Sequence, residues 1–262
     1  MSALPHADPG RGVFETMLVL AGQVVELDAH LGRLTTSVEA LYRVPLPADA
    51  GALVVDRAGG IECGKLRLTV APVRGALQLD VTAGEIDSGS VFPSADRGAS
   101  LRSHVVAGGL GEHKWADRDL LDRLTVAAPG ELPLLLDADG TVLEASRASV
   151  FVIDGERLVT PPTDGRILPS IARQQAIEVA DAAGIETGEE RLTVEDLRIA
   201  EVFLTGSVRG VEPVRSLDGA GLAPPGEISG RVAAGLWHRW RAPAGEPAAA
   251  VAAGPPSGPP GR

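Results

Sequence analysis

The 262-residue chain has one cysteine, one tyrosine, three tryptophans and two lysines. With Cys63 alone, an intrachain disulfide and a cysteine-based zinc cluster are excluded. Aromatic residues are 3% of the chain, which disfavours stacking platforms for nucleic-acid bases. Positive charge is in deficit: 24 Lys and Arg stand against 35 Asp and Glu, a formal net charge of −11. That balance argues against nucleic acid or an anionic membrane as the main partner, since both select clustered positive charge. No apolar run is long enough to span a bilayer. The start, MSALPHADPG, has neither a basic lead nor an apolar stretch. A soluble, cytoplasmic protein is the expectation.

Hydrophobic residues are 44% of the chain, enough for a sizeable core in one large domain or two ordinary ones. Strands are expected at Val13–Leu20 and Gln23–Leu27 around Ala21-Gly22. A helix capped by Asp28 follows, with Leu31, Leu34, Val38 and Leu41 at helical spacing, ended by Pro45 and Pro47. Ala48–Arg57 reads as a second helix, Lys65–Val70 and Leu77–Thr82 as a strand pair, and Leu101–Val106 as a further strand. Residues 1–106 therefore suggest a small α+β domain. Ala107–Gly111 (AGGLG) suggests a linker over 107–111, and 112–241 a larger second domain. Within it, helices are expected at Asp117–Leu124, Ser170–Ala183 and Glu227–Trp240, with a short one capped by Thr193. Strands are expected at Leu132–Asp137, Ser149–Ile153, Arg157–Thr160, Glu186–Leu192 and Glu201–Thr205. Residues 242–262 are a Pro/Gly/Ala stretch expected to be disordered.

Several motifs fail on inspection. Gly59–Lys65 fits GxxxxGK, but Leu66 stands where a Ser or Thr would hold magnesium, and Lys65 enters a strand rather than a helix. Gly10-Arg11-Gly12 and Gly108–Gly111 fall short of a dinucleotide fingerprint. His6, His30, His104, His113 and His238 have no metal-ligand spacing, and GxSxG is absent. Lysine scarcity is more informative. Arginine cannot serve as an imine-forming amine, so a covalent lysine would have to be Lys65 or Lys114. From position alone Lys114 reads as a solvated lysine at a helix start. Glu144 reads as a turn acid, and Arg33 as a solvated arginine on the polar side of its helix.

Five segments in order change those readings: Gly12–Leu34 (GVFETMLVLAGQVVELDAHLGRL), Leu143–Val152 (LEASRASVFV), Thr160-Pro161-Pro162, Ile167–Arg173 (ILPSIAR) and Ala200–Val214 (AEVFLTGSVRGVEPV), with Leu217-Asp218-Gly219 after them. Together they resemble the class IV aminotransferases, the pyridoxal-phosphate enzymes of fold type IV, over about four-fifths of the chain. The resemblance implies a two-domain α+β and α/β fold like that of D-amino-acid aminotransferase, a small-molecule amino substrate and a homodimer. It implies pyridoxal 5'-phosphate as cofactor, Lys114 as the Schiff-base lysine and proton-moving base, and Glu144 as partner of the pyridine nitrogen. The phosphate falls to Arg33, to Ser170, Ile171 and Ala172 at a helix start, and to Gly206 and Ser207; Leu168 is a further cofactor contact. Ser170 stands where the family usually has Gly, Ala172 where it has Thr, and Ser149 where it has Asn. The Asn or Tyr that follows the lysine in relatives has no counterpart. The compact chain, Phe14-Glu15-Thr16 rather than FEG, and that missing Tyr favour the 4-amino-4-deoxychorismate lyase branch. Branched-chain and D-amino-acid aminotransferases are the alternative, and a pyridoxal-phosphate-binding protein without turnover is a third reading.

Overall fold

A computed structural model describes residues 7–241; the expected tail at 242–262 lies outside them. In chain order the elements are β1 (Val13–Leu20), β2 (Gln23–Val24), α1 (Leu27–Tyr42), α2 (Ala50–Ala58), β3 (Cys63–Val73), β4 (Ala76–Glu85), β5 (Ala99–Val105), α3 (Asp119–Ala127), β6 (Leu132–Leu136), β7 (Val142–Ala145) and β8 (Ser149–Asp154). They continue with β9 (Arg157–Thr160), α4 (Ile171–Ala182), β10 (Thr187–Glu189), α5 (Val194–Arg198), β11 (Glu201–Gly206), β12 (Gly210–Leu217), β13 (Ala220–Gly221) and α6 (Glu227–Arg241). Two sheets result. One has four strands in the order β2-β1-β3-β4; the other has nine, in the order β10-β9-β8-β11-β12-β5-β6-β7, with β13 beside β12. The architecture is α+β.

Alternation within strands sorts the side chains. On β1, Val13, Met17 and Val19 face α1 and α2 and pack with Leu66, Leu68 and Val70 of β3 against Leu34, Val38 and Val54. The opposite face carries Phe14, Thr16 and Leu18, paired with Thr69, Arg67 and Lys65. Leu18 reaches across into the core of the larger sheet, beside Phe151, Phe203 and the apolar sides of α4 and α6. Phe151 and Phe203 are directly opposite on β8 and β11 and stack with centroids 5.1 Å apart. Val150, Val152, Val202 and Leu204 alternate with them and fill the other face.

Four expectations need correction. Asp28 does not cap α1: the helix begins at Leu27 after Glu26, which takes a left-handed conformation without a capping bond. The helix ends at Tyr42, with left-handed Arg43 as its C-cap, before either proline. The strand near residue 101 does not belong with the first sheet. β5 pairs in parallel with β6 and β12, and Ala99 and Leu101 pack in the larger core. The chain thus changes sheets between Glu85 and Ala99, ahead of 107–111. Finally, β7 and β12 were not expected. Each carries polar residues at inward positions, Glu144 and Glu212, which interrupt an apolar pattern.

Candidate active site

A cavity of about 530 Å³ opens between the two sheets, within the usual range for small-molecule sites. Of the nine candidate residues, Lys114, Glu144, Arg33, Leu168, Ser170, Gly206 and Ser207 line it. Ile171 and Ala172 do not; they form the first turn of α4, where Ala172 packs in the core. Lys65 lines the cavity too, from the exposed side of β3, so the two lysines share one space.

Lys114 sits in a loop tied down on several sides. The Phe14 amide donates to the Lys114 carbonyl and the Ala116 amide to the Gly12 carbonyl, each at 2.9 Å. Trp115 Nε1 donates to the Leu110 carbonyl at 2.9 Å, and His113 Nδ1 lies 3.1 Å from Ser37 Oγ. Arg11 closes the strap by pairing with Asp117 and Asp119 at 2.9 and 2.8 Å. Two glycines make this close packing feasible. A Cβ on Gly12 (φ +94°) would sit 2.3 Å from the Val70 carbonyl oxygen, and one on Gly109 (φ +68°) 2.1 Å from that of Arg166.

The Lys114 ammonium is destabilised by burial and then by the nearby Arg33 charge, which outweigh Glu15 and bring its pKa down to about 8. Its Nζ lies 5.0 Å from the Phe14 ring centroid. Glu144 moves the opposite way. Burial pushes its carboxyl up to about 7, because the Leu168 amide at 3.4 Å is the one hydrogen bond it accepts among the described residues. Such a carboxylate is short of donors. The first-turn amides of α4 are likewise donors without intrahelical acceptors, and Ser170 Oγ occupies the cap by accepting from the Arg173 amide at 3.3 Å.

Arg33 is not a free cation. It forks onto Glu15 at 2.8 and 2.7 Å and donates to the Pro169 carbonyl at 2.9 Å, next to the α4 start. Glu15 also lies 2.7 Å from His30 Nδ1. Burial alone would raise Glu15, but Arg33 and His30 overcome it and hold the carboxyl at about 2. The sequence reading missed this role of Glu15, although the signal was available: Glu15 occupies an inward position on a strand face otherwise made of Val13, Met17 and Val19. His113, Arg118, Arg147, Arg209 and Glu212 also line the cavity; Arg147, Arg209 and Glu212 fall inside the segments quoted above, but the sequence assigned none of the five a role.

A lysine with a lowered pKa, an under-donated buried carboxylate, and free helix-start amides beside Arg33 suit a ligand with an aldehyde, a protonated ring nitrogen and a phosphate, which is pyridoxal phosphate. The family model that matches residues 12–217 is described as amino-transferase class IV. The chain is 30% identical over 256 residues to a bifunctional aminodeoxychorismate lyase / D-amino acid transaminase of Mycobacterium tuberculosis, covering 82% of this chain and 86% of that one. It is similar to a hypothetical aminotransferase of Mycobacterium tuberculosis in its PLP-bound form, with TM-score 0.76, 25% identity, and 92% and 95% of the two chains covered. The fold also matches a putative 4-amino-4-deoxychorismate lyase of Legionella pneumophila, at TM-score 0.76 and 21% identity, covering 91% and 96%.

Proposed function

Because this chain belongs to the class IV amino-transferase family, whose members are pyridoxal-phosphate-dependent enzymes, we propose that it is a 4-amino-4-deoxychorismate lyase, releasing 4-aminobenzoate and pyruvate in folate synthesis. The observation that carries the enzymatic reading is the shared cavity of Lys114 and Glu144, whose proton affinities are shifted toward each other. The lyase branch is supported by the bifunctional relative and by Phe14-Glu15-Thr16. Bound pyridoxal phosphate supplies an aldehyde for the amine and a ring that withdraws electrons from the reacting carbon.

The chain's own residues supply the rest. With a pKa of about 8, Lys114 has a neutral amine fraction near neutral pH, able to attach the cofactor and then to carry a proton to and from the substrate carbon. Glu144 would hold a proton on the ring nitrogen, and a donor there would relieve the carboxylate's shortage of donors. Arg33, Ser170 and Gly206 with Ser207, which line the cavity, would hold the phosphate, with the Ile171 and Ala172 amides behind Ser170 adding the positive end of α4, and Leu168 would lie on the ring side. The bifunctional relative also favours transamination of D-amino acids as a second reading. A homodimer in the cytoplasm, acting on a small amino substrate, is the setting this proposal implies; light scattering giving a clean 27 kDa species would count against the dimer.

The test is to incubate the loaded protein with aminodeoxychorismate and with a panel of amino donors, following 4-aminobenzoate, pyruvate and keto acids. 4-Aminobenzoate is the expected product; keto acids alone would replace the lyase by the transaminase. Borohydride should fix the cofactor on Lys114, and a label on Lys65 would remove the central assignment.

A further inference from the structure

The turn before β8 and the turn joining β11 to β12 lie side by side, because Ser149 pairs with Thr205. Each brings an arginine to the cavity wall, Arg147 and Arg209. Between them stands Glu212, 2% exposed. Arg147 Nη2 lies 3.0 and 3.1 Å from its two carboxylate oxygens, and Arg209 Nη2 lies 2.9 Å from one of them. Among the described residues neither guanidinium has another polar side-chain partner, and Arg209 Nε has no acceptor at all. Ser149 Oγ, on the same wall, is also buried without a partner.

Two guanidiniums share one carboxylate, so the trio keeps a net positive charge turned to the cavity. In a chain of net charge −11 that local excess is costly to hold partly buried unless an anion completes it. Glu212 fixes both guanidiniums in place, leaving further N–H groups in the fork geometry that matches a carboxylate. We propose that Arg147 and Arg209, tethered by Glu212, bind a substrate carboxylate remote from the reacting amine, so that the enzyme prefers amino substrates carrying a second acid group. This rests on the reading above that Lys114 marks where the amine reacts. Lys114 and the trio line one cavity, so a substrate can engage both.

Calorimetric titration of the full chain loaded with pyridoxal phosphate tests it, with glutarate and butyrate as non-reacting probes of two acid groups and one. The wild type should bind glutarate more tightly. Arg147→Gln and Arg209→Gln should each weaken glutarate by about tenfold, collapsing that preference, while Arg147→Lys, which keeps the charge and loses the fork, should fall between Arg147→Gln and the wild type. Each substitution leaves the buried Glu212 its other arginine, and a denaturation curve of each variant separates lost folding from lost binding. The proposal is overturned if the wild type has no preference, if both probes weaken equally, or if the variants lose the cofactor instead. Any of these results leaves borohydride labelling of Lys114 as an independent measure of the cofactor reading.

Discussion

Two carboxylates flank the same lysine, and the protein treats them in opposite ways. Glu15 is 1% exposed and Glu144 8%, so burial penalises the charge of both. Glu15 has a forked arginine and a histidine, and its carboxyl is held at about 2. Glu144 has one long amide contact, and its carboxyl rises to about 7. Partners, rather than depth, decide which buried carboxylate stays charged. The finished cluster on the α1 side is structural, and it aims Arg33 at the start of α4. The unfinished one on β7 is left for something that binds.

The largest effect expected is at the finished cluster. Glu15→Gln leaves the largely buried Arg33 charge without a carboxylate partner among the described residues, which costs about 3–5 kcal/mol; chemical denaturation should show it. A loss under about 1 kcal/mol would break the contrast between the two sites. Glu144→Gln should do the reverse, lowering turnover by about a hundredfold while cofactor affinity changes little. Arg33→Ala should instead weaken cofactor binding, with excess pyridoxal phosphate restoring much of the rate. Rescue of Glu144→Gln but not of Arg33→Ala by added cofactor would reverse the two assignments.

The pH dependence of the cofactor-free protein sharpens the comparison further. Glu144 takes up its proton more readily folded than unfolded, so its contribution is present below about 4.5 and is lost as pH rises toward about 7. Glu15 has the opposite sign: its contribution is present above about 4.5 and is lost as pH falls toward about 2. Lys114, depressed to about 8, adds stability as pH climbs from there toward its ordinary value of 10.5. Thermal melts of the Glu144→Gln and Glu15→Gln proteins across pH 3–8, an interval set by these values, should each remove one of the first two slopes. The smallest effect belongs to Ser170→Ala, which removes the α4 cap and should cost about 1 kcal/mol.

By itself the sequence determined what is local and periodic. The strand alternation of β1 and β3, the Thr193 cap of α5, the extent of α4 and the rejection of the Gly59–Lys65 phosphate loop follow from side-chain order within a few residues. Ordered motifs carried Glu144 and Arg33 as candidates, and the scarcity of lysine together with the family resemblance carried Lys114. Tertiary structure alone decided the partners. Residues 15, 30 and 33 become one buried cluster only when β1 packs on α1. Arg147 and Arg209 meet on Glu212 only when β8, β11 and β12 pair. β5 joins the larger sheet because its neighbours β6 and β12 come from far along the chain, and no local pattern encodes that pairing. Burial and charge compensation are sums over such distant neighbours, so a carboxylate at about 2 and another at about 7 look alike until the chain is folded.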